Sequence, residues 1–259
     1  MGMSSVCFLF TVEDAEVYAL GERTVLGTEG RGRFRSRYDD VSLCTTQYGS
    51  NRPATITIEG NFNGVNKNNT GNSVVNFNCW GHWRATGSGR VVCTSAAQSN
   101  RGLRVYDGAT LAFNPNTATF GQSDQTFYVY NTNGETAGGT LEVASSGKVT
   151  LTGDLALADG TALGFNFTER ATAPQLALAS GKTLSFTGDG ATNITVKVSG
   201  SVWPRSGEHQ LTTCGGFGAE GVTVSLAEGA PKWATGLTVN GAGNIVLSVK
   251  PKGMVILFK

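Results

Sequence analysis

Charge is the first thing this chain is short of. Only 15% of its 259 residues are Asp, Glu, Lys or Arg, against the roughly 25% usual in soluble domains. The surface must then be covered largely by Thr, Ser, Asn and Gln, which suits an extracellular β protein better than a cytosolic enzyme. The formal net charge of +1 offers no overall pull on nucleic acid or an anionic membrane. Helical periodicity is nearly missing, and no apolar run approaches the roughly 20 residues a transmembrane helix takes. Histidine is scarce too, with only His82 and His209. No CxxC pair and no D-x-D-x-D run occurs, so neither a structural zinc site nor a calcium loop is expected. There is no G-x-x-x-x-G-K-S/T loop and no G-x-G-x-x-G between strand and helix, so no nucleotide cofactor is expected either.

Proline is rare and glycine abundant, 6 against 36. Glycine enters positive φ without steric cost, so this ratio implies many sharp corners. Between them lie short apolar or β-branched runs: Thr55–Ile58, Ser73–Phe77, Arg90–Cys93 and Phe127–Tyr130. Turn signals every 8 to 12 residues or so indicate an all-β sandwich, barrel or solenoid. The best helical stretch, Thr11–Leu20, offers a Thr11/Asp14 capping pair and Gly21 as its stop. It predicts two or three turns at most.

Repetition decides among the β architectures. Asp107–Phe113 recurs as Asp159–Phe165 and again as Ser180–Phe186, in the shared form D/S-G-x-x-L-x-F. A partial copy is Ser146–Leu151. Each supplies a turn glycine and then two apolar residues on one strand face. Gly147, Gly160 and Gly181 lie 13 and 21 residues apart, near half and whole coils of about 20 residues. One such coil cannot bury its own apolar side; stacked coils align Leu over Leu and Phe over Phe into a continuous core. The expectation is an all-β, right-handed parallel β-helix (β-solenoid) over residues 21–200. Residues 1–20 form an N-terminal segment, either a cap or the remnant of a signal peptide. Residues 201–259 form a small antiparallel β end piece that covers the open stack. The closing Met254–Phe258 run has ordinary strand length, with an export or anchoring signal as the other reading.

The repeats at 141–199 are followed by H-Q-L-T-T-C-G-G-F (209–217), P-K-W (231–233) and G-L-T-V-N-G-A-G-N-I-V-L-S-V (236–249). Together these resemble the C-terminal part of autotransporter-associated β-strand-repeat proteins, over roughly residues 100–259. The resemblance implies a right-handed β-helix, export, and a passenger-type display or adhesion role at a bacterial surface or outside the cell. It brings no catalytic motif and no cofactor. Five cysteines are more than such passengers usually carry, and the residues after 200 are too few for a translocating barrel, so the chain is expected to be either the tail of a longer exported protein or a free secreted product.

Catalytic constellations are not apparent. Cys79 and His82, at i and i+3 on a strand, would point to opposite faces, and His209 reads as surface. Asp107, Asp154, Asp159 and Asp189, half of the aspartates, sit beside glycine in turn contexts, which accounts for them without chemistry. No metal site is expected. Cys79 and Cys93 flank a Gly87–Gly89 turn, and two outcomes are open: a disulfide, or two buried thiols. Arg23, Arg31, Arg33, Arg35 and Arg37 read as a solvated loop face beside Glu22, Glu29, Asp39 and Asp40, with a phosphate or acidic-glycan site as the alternative. The candidate ligand site is Tyr48, Trp80, Trp83 and Arg84, a mix of aromatic faces and polar groups suited to glycans. A packed tryptophan in an N-terminal core is the simpler account. Trp203 and Trp233 read as packing for the end piece. The function expected is therefore a secreted or surface structural and adhesive β-helix without an active site, with a carbohydrate-binding or polysaccharide-degrading β-helix as the alternative. Partners would be glycans or a neighbouring or host cell surface. The oligomeric state is not legible.

Overall fold

In the computed structural model, the strands of the first 93 residues and those at 103–105 and 119–120 are described as backbone. Side chains are described at 89–92, 104–106, 108–114, 126–131, 138–188 and 190–253. The chain is a β-solenoid built of parallel sheets, and among the described residues there is no helix. The longest sheet stacks eight strands in the order β3 (Arg23–Leu26), β6 (Thr55–Ile58), β10 (Arg90–Cys93), β12 (Thr110–Phe113), β15 (Thr140–Val143), β18 (Ala162–Phe167), β21 (Thr192–Gly200) and β23 (Val222–Leu226). A seven-stranded sheet stacks β2 (Ala15–Ala19), β5 (Val41–Gln47), β9 (Trp83–Thr86), β11 (Leu103–Val105), β14 (Thr126–Val129), β17 (Asp154–Ala158) and β20 (Leu184–Thr187). Two shorter sheets take the third position of the coil. One is β1 (Thr11–Val12), β4 (Arg33–Ser36), β8 (Asn76–Cys79) and β7 (Asn61–Asn63); the other is β13 (Thr119–Phe120), β16 (Gly147–Leu151) and β19 (Pro174–Leu178). An antiparallel sheet of β22 (Gly207–Gln210), β25 (Ile245–Val249) and β24 (Ala234–Val239) closes the C-terminal end.

The register shows why the stack holds. In the eight-stranded sheet Val91, Leu111, Leu141, Leu163 and Val196 pair in one column, and Phe113, Val143, Phe165 and Val198 in the next inward one. All nine are buried. Each rung alone would leave one apolar face in water; stacking removes it at roughly 25 cal/mol per Å². Edge-to-face contact between Phe113 and Phe127 joins this sheet to the seven-stranded one across the interior.

Two copies of the D/S-G-x-x-L-x-F repeat, ending at Phe113 and Phe165, occupy the same face two rungs apart. The third does not. Leu184 and Phe186 lie on β20, in the seven-stranded sheet, in register with Leu155 and Leu157. The motif encodes a corner followed by a strand, and any corner of the coil can use it. Its turn glycines, Gly108, Gly160 and Gly181, all have positive φ, at 76°, 73° and 78°. Coil length is also less regular than the glycine spacing suggests: Leu111, Leu141, Leu163 and Val196 are 30, 22 and 33 residues apart. Loops at the corners absorb the difference without shifting the ladder.

Three further expectations are revised. Within Thr11–Leu20, where a helix was expected, Thr11–Val12 and Ala15–Ala19 are strands β1 and β2, with Val17 in register with Leu43. A five-residue run holding Val and Tyr suits a pleated surface and a partner rung better than an isolated, barely nucleated helix. The arginine-rich segment is likewise not one loop face, because Arg23 begins β3 while Arg33 and Arg35 belong to β4, in a different sheet. The stack also continues past residue 201. Leu176 bridges Thr212 in parallel, and β23 pairs in parallel with β21. The antiparallel piece interleaves with these pairings, since its first strand, Gly207–Gln210, precedes both Thr212 and β23 in the chain. Leu211, Phe217, Trp233, Ile245, Leu247 and Val249 join the same apolar cluster as the ladder. Trp233 meets Phe167 edge to face at 5.2 Å, so the end piece shuts the core rather than forming one of its own.

Candidate functional site

The residues singled out for a glycan site fall in the part of the chain described least. Tyr48 and Trp80 lie outside the described residues, as does His82. Trp83 and Arg84 begin β9, where Trp83 pairs with Val41 and Leu103, and Arg84 with Ser42 and Arg104. Cys79 is on β8 and Cys93 on β10, strands of two different sheets.

Arg84 leads to a feature the sequence reading passed over. Its register column on the seven-stranded sheet runs Ser42, Arg84, Arg104, Tyr128, Ala156 and Ser185. Leu155 and Leu157, the neighbours of Ala156 in β17, are fully buried core residues. Strand alternation therefore puts Ala156, and with it Arg104, Tyr128 and Ser185, on the face opposite the core. There Arg104 and Tyr128, with Tyr106 and Tyr130 just past the ends of β11 and β14, form one cluster. Tyr106 and Tyr130 stack with ring centroids 4.9 Å apart and planes 18° from parallel. Tyr128 stacks on Tyr130 at 5.4 Å and 15°. The Arg104 guanidinium lies 5.6 Å from the Tyr128 centroid and 5.9 Å from that of Tyr130. The rungs create the spacing: neighbouring strands stand about 4.8 Å apart, close to the stacking distance of two rings. All four residues are half-buried, so part of the cluster meets solvent. The sequence did carry a signal, the Tyr128-x-Tyr130 alternation, but the partnership of Tyr106 with Tyr130 depends on the coil.

A second polar cluster lies on the outer face of the eight-stranded sheet. Arg90 on β10 forms an ion pair with Glu142 on β15, at 2.5 Å. Lys197 on β21 donates to the Thr140 hydroxyl at 3.0 Å. Each long side chain crosses an intervening rung. Gly164 makes room for this: a Cβ there would stand 2.7 Å from Glu142 Cγ. Burial pushes the Glu142 carboxyl above its ordinary range, against the opposing pull of Arg90 and Lys197. Lys197 is pushed down by loss of hydration, with Glu142 working the other way; the residue as a whole remains exposed while its ammonium is drawn in. Two charged side chains reaching across rungs act as a strap along the stack.

The remaining chemically capable groups have structural partners. Asp159 accepts from the Asn193 backbone and side chain at 2.6 and 3.0 Å, and its carbonyl accepts from Asn131 at 2.9 Å. Asp154 accepts from the Thr183 backbone N–H at 2.8 Å. Both acids thus bind one corner of the coil to the next, as their turn contexts suggest. His209 is half-buried with Nε2 2.7 Å from the Arg205 carbonyl and its ring edge against Phe167. Cys214 is a free, half-buried thiol, pushed up to about 11 by burial. Among the described residues no group of three His, Cys, Asp or Glu side chains converges as a metal site would require. No helix among them is long and apolar enough to cross a membrane.

No family model, curated protein or solved structure matches this chain.

Proposed function

We propose that this chain is a secreted or cell-surface β-solenoid with a structural and adhesive role, similar in kind to the passengers of autotransporter-associated repeat proteins. The observation that carries this reading is the continuous inward ladder from Val91 to Val198, sealed by the same cluster at the end piece. Such a rod draws its stability from within, leaving its outer faces free to present side chains to a partner. A surface poor in charge and rich in Thr, Ser and Asn fits exposure outside the cell. The test is antibody labelling of intact producing cells before and after protease treatment. Labelling that protease removes supports display, and a signal seen only after lysis overturns it.

A second reading, carbohydrate binding, is favoured by the Tyr106, Tyr128, Tyr130 and Arg104 cluster, whose aromatic and cationic character is that of a sugar platform. This cluster lies on the rungs next to the strand that carries Trp83 and Arg84.

A further inference from the structure

Three parallel sheets reach the C-terminal end of the coil, and the end piece treats their last strands differently. The edge of β19 is taken up: Leu176 donates to the Leu211 carbonyl and accepts from the Thr213 N–H, both at 2.9 Å. Over β20, Phe186 meets Phe217 edge to face at 5.9 Å. The edge of β23 is left open. On its paired side, the Thr192 N–H donates to the Gly221 carbonyl at 2.7 Å and the Ala227 N–H to the Val196 carbonyl at 2.8 Å. Alternate residues of a strand turn their backbone groups to the same neighbour. Gly221, Thr223, Ser225 and Ala227 therefore face β21, while Val222, Val224 and Leu226 aim their backbone groups away from it. Of these outward groups only the Val222 N–H has a partner among the described residues, the Ala219 carbonyl at 3.2 Å. The side chains of Val222, Val224 and Leu226 are half-buried, the last two packed against the core cluster. The strand carries no charge, proline or bulge that would discourage a further strand. An exposed carboxylate stands just beyond each end, Glu220 and Glu228.

We propose that the edge of β23 is the docking site for the chain's own segment Met254–Phe258, which adds to it as an antiparallel strand. That segment lies outside the described residues. Before it, the chain is fixed at Lys250, whose N–H donates to the Trp233 carbonyl at 3.0 Å and whose carbonyl accepts from Trp203 Nε1 at 3.1 Å. Turn bonds from Ala230 to Ala227 and from Ala234 to Pro231 keep Trp233 near the end of β23. A strand starting there runs back along β23, and Met254 can stand up to about 13 Å from Lys250. An apolar run of five matches an edge of five residues. Centring Ile256 on Val224 places Met254 opposite Leu226 and Phe258 opposite Val222, all on the core side. It also places Lys252 opposite Glu228 and Lys259 beside Glu220, so each carboxylate gains a cation. A second copy offering its own β23 would instead set Glu220 against Glu228 at both ends, a like-charge pairing. Charge therefore selects the tail. Main-chain bonds supply the affinity in strand addition, and side-chain pairs the register. With the edge covered, neighbouring rods cannot add strands to one another.

Hydrogen exchange of the full chain, read by mass spectrometry, tests the pairing. Val222–Leu226 and Met254–Phe258 should both be protected. A chain ending at Gly253 should exchange Val222–Leu226 at least about tenfold faster, the scale of one net hydrogen bond. Unchanged exchange in β18 establishes that the shorter chain folds. Ile256→Pro, which removes the central donor, should act in the same direction. Lys252→Glu should speed exchange about twofold to fivefold through the exposed Glu228, and adding Glu228→Lys should restore the wild-type rate. Fast exchange of Met254–Phe258 in the wild-type chain overturns the proposal, as does protection of Val222–Leu226 that survives the truncation. A charge exchange that fails to restore protection overturns the antiparallel register. A dimer in light scattering, with protection lost on dilution, assigns the edge to a second copy and overturns docking within the chain.

Discussion

Leu163 and Leu184 occupy the same place in two copies of one repeat, yet the structure assigns them different costs on truncation. Leu163 is 0% exposed and flanked in register by Leu141 and Val196. Leu163→Ala removes three buried carbons from a site with a rung on each side, so little can collapse into the space. Such truncations cost about 2–5 kcal/mol, and this one belongs in the upper half of that range. Leu184 sits on β20, the last strand of its sheet, half-buried and covered by the Gly216–Phe217 turn of the end piece. That turn can settle inward, and Leu184→Ala should cost about 1–2 kcal/mol. Urea denaturation followed by circular dichroism measures both, with slopes compared to confirm that the same surface is exposed. In a stack of rungs the loss at Leu163 also weakens the coupling between the coils on either side, so a broadened or divided transition is expected for that variant. A Leu163→Ala cost under about 1 kcal/mol, or one no larger than that of Leu184→Ala, would refute the shared interior ladder.

Three further outcomes follow from the polar details. Glu142 titrates higher in the folded chain than in the unfolded one, so its stabilising contribution is present below the unfolded value and lost as pH rises through the folded one. Glu142→Gln should therefore gain in melting temperature relative to wild type between pH 4 and pH 7, and a constant difference would contradict the buried carboxyl. Thr212 is fully buried and its hydroxyl accepts from the Ile245 N–H at 2.8 Å. Thr212→Val keeps the shape but strands that donor, costing about 1–3 kcal/mol in chemical denaturation; a neutral result would show the end piece to be loosely attached. With its thiol pushed up to about 11, Cys214 should react with iodoacetamide at pH 8 far more slowly than a free cysteine, as read by mass spectrometry of its peptide. Labelling as fast as in the denatured chain would remove it from the packed end.

The polar clusters illustrate how register separates legible features from illegible ones. Asp159 and Asp154 were readable as corner residues because a D-G or G-D step marks a turn whatever lies next to it, and their partners in the next coil follow the turn. The strap of Arg90, Glu142 and Lys197 was not readable. Its members are 52 and 55 residues apart, and their meeting depends on Gly164 leaving the intervening rung bare. The tyrosine cluster lies between these extremes: Tyr128 and Tyr130 are near neighbours, whereas Tyr106 joins them through the pairing of β11 with β14.

Local sequence alone settled the class of this protein. Glycines suited to positive φ at the corners, β-branched and apolar residues alternating between them, and a recurring Leu-x-Phe step leave stacked β rungs as the economical way to bury the apolar faces. Which face each copy of the repeat would occupy, and where the stack would end, were decided only on folding. A strand of four or five residues carries its inward–outward alternation in its own side chains, but the identity of its neighbour is set by the length of every loop before it. The same alternation fits any side of the prism, and only the closed coil chooses.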